Sequence, residues 1–274
     1  MIQTLWTPAD DGILAGARYD GKSGPPIVFV HGVGSSAAIW DYQLEALSAR
    51  HRCYAIELRG NGSAQTEPPP ATVTREGFVE DVLAVAKTVS IERFHFVGCS
   101  LGGVVGFELM RRMPERIASL TLVGSFAAYP NADQQVATII AGVTEAGSLE
   151  AFAQARIQKI LPPNSPQRRI DETIAQMAQK SLPSYIASTK ATWTGDYRAD
   201  LPAIDVPTLV MCGELDPIAP VALSHEIASG IPGALLTVIP HAGHVTNADA
   251  PRAFNDALVQ ILVSVEKAGR AVRH

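Results

Sequence analysis

Six short apolar runs, separated by amphipathic stretches, limit what this chain can fold into. They are PIVFVHG (26–32), RCYAIEL (52–58), RFHFVGC (93–99), IASLTLVG (117–124), PTLVMCGE (207–214) and ALLTVIP (234–240). A strand with one face in water alternates polar and apolar residues, whereas a run apolar at nearly every position suits a strand covered on both faces. Segments of helical periodicity lie between the runs, at about 38–50, 75–90, 101–113, 218–229 and 250–267. This alternation predicts an α/β chain with a mostly parallel central sheet and helices on both faces. An earlier piece, ILAGARYDG, alternates and reads as an edge hairpin strand.

From Ala128 to Leu201 the strand signal disappears. Helical patches such as ADQQVATIIAGV, LEAFAQARIQKIL and RRIDETIAQMAQKSL follow one another, separated by PPNSP and LPSY. The expected organisation is a core of residues 1–127 and 202–274, with a helical cap of residues 128–201 inserted between core strands.

Composition narrows the function classes. With 274 residues, 47% of them hydrophobic, the chain is long enough for a sizeable core. The net charge is -5 and both signs are scattered, so no basic footprint of a nucleic-acid binder is present. No stretch reaches the ~20 apolar residues of a membrane span, and MIQTLWTPADDG does not read as a signal peptide. Cys53, Cys99 and Cys212 are odd in number and lack metal spacing. They are expected to be buried thiols in a reducing compartment, the cytoplasm by default.

Chemistry first shows in FHFVGCSLGGVVG (94–106). Ser100 stands where a strand becomes a helix, inside G-x-S-x-G. A hydroxyl presented on so sharp a turn brings its flanks together, and only small residues fit there. The Leu101 amide, at the start of the helix, then points at any oxyanion formed above Ser100. GARYDGKS (16–23) matches the spacing of a phosphate-binding loop. Its Lys22–Ser23 pair leads into GPP and a strand, however, and not into the helix such a loop requires, so it reads as a turn.

A serine nucleophile needs a base, and the base needs an orienting acid. Of the histidines, His95 falls within a strand, His51 and His225 on or beside helices, His274 at the terminus, and His31 at a strand end with another role. HAGH (241–244) follows the last strand, on the same sheet edge as Ser100. His244, freed by Gly243 to swing inward, is preferred to His241. GELDP follows PTLVMC, and Asp216, just past the strand, is preferred to Glu214, which sits closer to the strand and points elsewhere. The second oxyanion donor is expected in HGVGSS (31–36), at the amide of Val33. The cap is expected to wall the substrate pocket, with Trp40, Phe126, Ile140, Ile160 and Trp193 as apolar candidates. Arg156, Lys159, Arg168 and Arg169 are its candidate cations.

Taken together, these motifs resemble the α/β-hydrolase superfamily over nearly the whole chain. VHGVGSSAAIW looks like its oxyanion loop, VGCSLGG its nucleophile elbow, LVMCGELDPIAP its acid-bearing turn and PHAGHVTNADAP its histidine loop. ELRGNGSA is similar to the D-x-R-G-x-G-x-S segment, with Glu57 where Asp is usual and Ala64 after Ser63; Asp249 stands where Glu is frequent. The order Ser100, Asp216, His244 is that of the superfamily. Within it, the chain is similar to 3-oxoadipate enol-lactonases and related carboxylesterases. Serine at the elbow departs from haloalkane dehalogenases and epoxide hydrolases, which use Asp. The resemblance implies an α/β-hydrolase fold and a cofactor-free serine hydrolase that cleaves a small ester or lactone through an acyl-enzyme. The alternatives are a C–C bond hydrolase acting on a dienone and a ligand receptor that does not turn over.

Overall fold

The structure is a computed structural model and describes residues 1–61 and 67–271. Ser63 and Ala64 of the ELRGNGSA segment, and His274, lie outside the described residues. The chain opens with an antiparallel hairpin, β1 (Gln3–Pro8) and β2 (Leu14–Asp20), followed by β3 (Pro26–Val30). A short 3-10 turn leads into α1 (Asp41–Leu47), then come β4 (Arg52–Glu57), α2 (Arg75–Thr88), β5 (Phe94–Cys99), α3 (Leu101–Arg112) and β6 (Ile117–Val123). After β6 come α4 (Ala132–Ala146), α5 (Leu149–Ile160), α6 (Gln167–Ala178) and α7 (Leu182–Trp193). The chain then returns through β7 (Thr208–Gly213), α8 (Val221–Gly230), β8 (Leu235–Ile239), α9 (Thr246–Asp249) and α10 (Pro251–Ala271).

All six apolar runs are strands, joined into one eight-stranded sheet of order β1-β2-β4-β3-β5-β6-β7-β8 among the described residues. From β4 to β8 every pairing is parallel. β1 carries no clear sequence signal, because it is an edge strand with only Thr7 fully buried. The turn that carries Lys22 and Ser23 joins β2 to β3, and no helix starts there.

Two apolar layers explain why the runs are apolar throughout. In β3, Ile27 and Phe29 face α1 and α10, while Val28 and Val30 face α2 and α3. Successive side chains of a strand point to opposite faces, so both must be apolar when both faces are covered. Trp40 belongs to the α1–α10 layer. Its ring stands 5.1 Å from Phe29 and 6.0 Å from Phe254, and it is fully buried. It is therefore a core residue beneath the sheet and does not line the cavity that holds Ser100, which corrects the sequence reading.

Helices α4 to α7 pack a cluster of their own around Val136, Ile139, Phe152, Met177 and Tyr185. At the base of this insertion a lone bridge joins Ala128 to Asp196, and the Tyr197 amide donates to the Ala127 carbonyl at 2.8 Å. LPSY, read from sequence as a break, instead opens α7. Its proline sits in the first turn, where a missing N–H is no loss. Ser181 Oγ caps this helix by accepting the Ser184 amide at 3.1 Å. No helix among the described residues is long and apolar enough to cross a membrane, and the three cysteines are free and buried.

The turn from β5 into α3 leaves no room for side chains at its two flanking glycines. A Cβ on Gly98 would stand 2.2 Å from the Gly102 carbonyl oxygen, and one on Gly102 would stand 2.2 Å from that of Val30. Both collisions are with backbone, which cannot step aside. Gly98→Ala is expected to destabilise the fold by about 2–3 kcal/mol. A thermal melt checks this, and a midpoint equal to that of the wild type would contradict the packing account.

Candidate active site

Ser100 occupies that junction with φ 54 and ψ -111. Positive φ is strained for a residue with a side chain, by about 1–3 kcal/mol, and it persists here because its surroundings hold it. The Ser100 amide donates to the Val123 carbonyl at 2.9 Å, and the Ser100 carbonyl accepts the Gly103 amide at 2.8 Å. Leu101 is the first residue of α3, so its amide has no acceptor inside the helix and faces the helix N-terminal side.

His244 is brought to the same place by the loop between β8 and α9. Its Nδ1 lies 2.8 Å from Asp216 Oδ2, and both side chains are nearly enclosed. The second carboxylate oxygen of Asp216 accepts the amides of Ile218 at 2.8 Å and Ala219 at 3.0 Å. The acid is thus fixed by its own loop and points one oxygen at the imidazole. Burial alone would push the His244 pKa down. The charge and hydrogen bond of Asp216, with Asp249 behind it, outweigh burial and leave it raised. Among the described residues no hydrogen bond joins Ser100 Oγ directly to His244, although both line one cavity. Such bonds are often long in a free enzyme and tighten when substrate binds.

The competing candidates sit apart. His241 is almost wholly exposed, and its amide donates to Glu214 Oε2 at 3.0 Å. His95 is buried against Ser119 and His51 pairs with Glu266. His31 serves the loop that follows β3. Its Nε2 accepts the Leu58 amide at 3.2 Å, which makes Nδ1 the donor to the Gly32 carbonyl at 2.8 Å. That loop lies against the serine, since a Cβ on Gly32 would stand 3.2 Å from Ser100 Cβ. The Gly34 amide is engaged by Asn61 Oδ1 at 3.1 Å, and Val33 lines the cavity.

The cavity measures about 130 Å³. Its floor is the Gly32–Ser35 loop with Ser100 and His244, and its roof comes from α5, α6 and α7. Trp193 and Ile160 line it as expected. Phe126 does not, because it sits behind Trp193, ring centroids 5.9 Å apart, within the insertion's own cluster. Ile140 packs against the same cluster. Met177, Tyr185 and Gln176 also line the cavity. Their helical spacing reads as ordinary core and surface, so the sequence carries no signal for them. Of the cations, Arg168 is exposed and pairs with Glu172, Lys159 is exposed, and Arg169 pairs with Asp249. Arg156 lines the cavity, rests over the Phe152 ring at 5.0 Å, and has no ion-pair partner among the described residues.

A strained serine at a strand–helix turn thus shares one covered cavity with a histidine held by a buried aspartate. The chain matches the family described as the alpha/beta hydrolase fold over residues 25–251, and it belongs to that family. It is 30% identical over 247 residues to RutD of Azorhizobium caulinodans, a protein assigned as a carbamate hydrolase, covering 86% of this chain and 91% of the relative. A solved hydrolase from Pseudomonas aeruginosa PA01 superposes with a TM-score of 0.86 at 30% identity, covering 95% of this chain and 98% of the other. The enol-lactonase of Burkholderia xenovorans LB400 superposes with a TM-score of 0.85 at 27% identity, covering 94% and 100% of the two chains. The family and these relatives support hydrolytic activity.

Because the His244 pKa is raised, its imidazole should lose its proton above the ordinary histidine value of about 6.5. Asp216→Asn removes the charge that opposes burial, so the titration should drop below that value. NMR titration of the imidazole in both proteins checks the sign. An unchanged titration would contradict the coupling.

Proposed function

We propose that this protein is a serine hydrolase of small carboxylic esters or lactones. Ser100 is the nucleophile, His244 the general base and Asp216 the acid that orients it. The observation that carries this reading is the enclosed Asp216–His244 hydrogen bond at 2.8 Å on the wall of the cavity that holds the strained Ser100.

On this reading the steps are those of acyl transfer to water. His244 Nδ1–H is held by Asp216, which leaves Nε2 free to take the Ser100 proton as Oγ attacks the carbonyl carbon. The tetrahedral oxyanion is received by the amides of Leu101 and Val33. Each donor of this kind is typically worth ~2.7–4 kcal/mol of barrier. The imidazolium then protonates the leaving alkoxide, and an acyl group remains on Ser100. Water, deprotonated by His244, attacks that ester and releases the acid. In a lactone the alkoxide stays tethered, and the product is one open-chain hydroxy acid or its keto tautomer.

The small cavity favours compact substrates, and Arg156, which has no ion-pair partner among the described residues, favours those carrying an anionic group away from the scissile bond. The carbamate hydrolase assignment of one relative favours adding carbamates to the substrates tried, since their carbonyl would meet the same nucleophile.

Ser100→Ala should lose essentially all turnover, on the order of 10⁶-fold, with an unchanged melting temperature and no labelling by a fluorophosphonate. Persistent turnover in that variant would exclude Ser100 as the nucleophile. A panel of p-nitrophenyl esters, enol-lactones, carbamates and a ring-fission dienone separates ester cleavage from C–C cleavage. Labelling without turnover of any of them would favour a receptor instead. Arg156→Gln should raise KM about tenfold for p-nitrophenyl hemisuccinate, the scale of losing one charge-assisted contact, and leave p-nitrophenyl butyrate unaffected. Equal effects on the two esters would remove Arg156 from substrate recognition.

A further inference from the structure

Asp249 closes the short helix α9, and its carboxyl group is 2% exposed. One oxygen accepts the amide of Gly243, the residue before His244, at 2.9 Å. The other receives Nε and Nη2 of Arg169 at 3.2 and 3.0 Å. Arg169 comes from α6 of the helical insertion and also lines the cavity. A single buried carboxylate therefore ties the histidine loop to the roof. The insertion reaches the same loop at a second point, where a Cβ on Gly243 would stand 3.1 Å from Pro162 Cδ and 3.4 Å from the Ile160 carbonyl oxygen.

The pair sits in the electrostatic surroundings of His244. From the turn after β7 comes Asp216, from α9 Asp249, and from α5 Arg156, which opposes them both. From β5 comes Cys99, a thiol kept neutral because burial pushes its pKa far up. Burial raises the Asp249 pKa, while Arg169, the Gly243 amide and His244 draw it back towards ionisation. A buried ion pair adds little stability over a well-packed apolar contact. What it does supply is orientation and charge, because a guanidinium fork holds a carboxylate in one geometry.

We propose that Arg169 and Asp249 form a positioning pair for His244, fixing the Gly243–His244 backbone and setting the basicity of the imidazole. This rests on the reading of His244 as the base. Neither residue touches the reacting atoms. Their effect passes through the loop backbone and through the field at the imidazole.

Asp249→Asn is the informative variant. Its carboxamide oxygen still accepts the Gly243 amide, but the negative charge near His244 is gone and Arg169 is left as an unpaired cation. Both changes disfavour the imidazolium. The NMR titration of His244 in the free protein, and the acid limb of kcat/KM, should both move down by about half a unit or more. The Arg169→Gln/Asp249→Asn double variant is neutral at both positions and should bring the titration part of the way back. Arg169→Lys keeps the charge and loses the fork, so the titration should hold while kcat falls severalfold. A wild-type titration in Asp249→Asn, or a double variant shifted further than Asp249→Asn, would overturn the proposal. The NMR readout needs no substrate. Failure of the base assignment would show instead as absent fluorophosphonate labelling or as activity surviving Ser100→Ala.

Discussion

The site depends on one close approach of backbone to backbone. α3 meets β5 at Gly98 and β3 at Gly102 so tightly that no side chain fits on either glycine, and Ser100, midway between them, is held at φ 54. The strain is confined to Ser100 and is held by hydrogen bonds to Val123 and Gly103 on either side. A relaxed turn would lay the hydroxyl along the sheet or into the helix. The strained one raises it at the carboxyl edge of the strands, beside a helix N-terminus.

Everything else in the site is delivered to that edge by the parallel sheet. Loops that leave β3, β7 and β8 all emerge on the same side because the strands that carry them run the same way. Asp216 and His244 can therefore come from distant parts of the chain and still meet at 2.8 Å. Burial of the pair matters as much as its distance. In bulk water a carboxylate beside an imidazole changes its basicity little, whereas in a nearly enclosed site the same charge outweighs the penalty of desolvation.

The insertion α4–α7 supplies what the sheet cannot. It roofs the cavity, excludes water from the His–Asp pair, and presents Arg156, Tyr185 and Trp193 inward. It is also bound into the core's polar network. Asn61 holds the Gly34 amide on one side and donates to Ser188 of α7 at 2.9 Å on the other. The roof and the loops beneath it thus share one polar network.

The sequence by itself determined the sheet, its helices and the identity of Ser100, Asp216 and His244 as residues at strand ends. Those features are local: an apolar run, a glycine pair around a serine, an acid or histidine just past a strand. Loop position favours Asp216 over Glu214 and His244 over His241; the structure joins the first two by a buried hydrogen bond and sets the other two against each other on the surface. Only the tertiary structure decided that Trp40 belongs to the core beneath the sheet and Phe126 behind Trp193, because an apolar side chain looks the same in sequence whether it faces a cavity or a neighbour. The same holds for the cations. Arg156, Arg168 and Arg169 are alike as letters on helices, and one lines the cavity with no ion-pair partner among the described residues, one is spent at the surface and one is clamped to Asp249 by contacts between segments that only folding brings together.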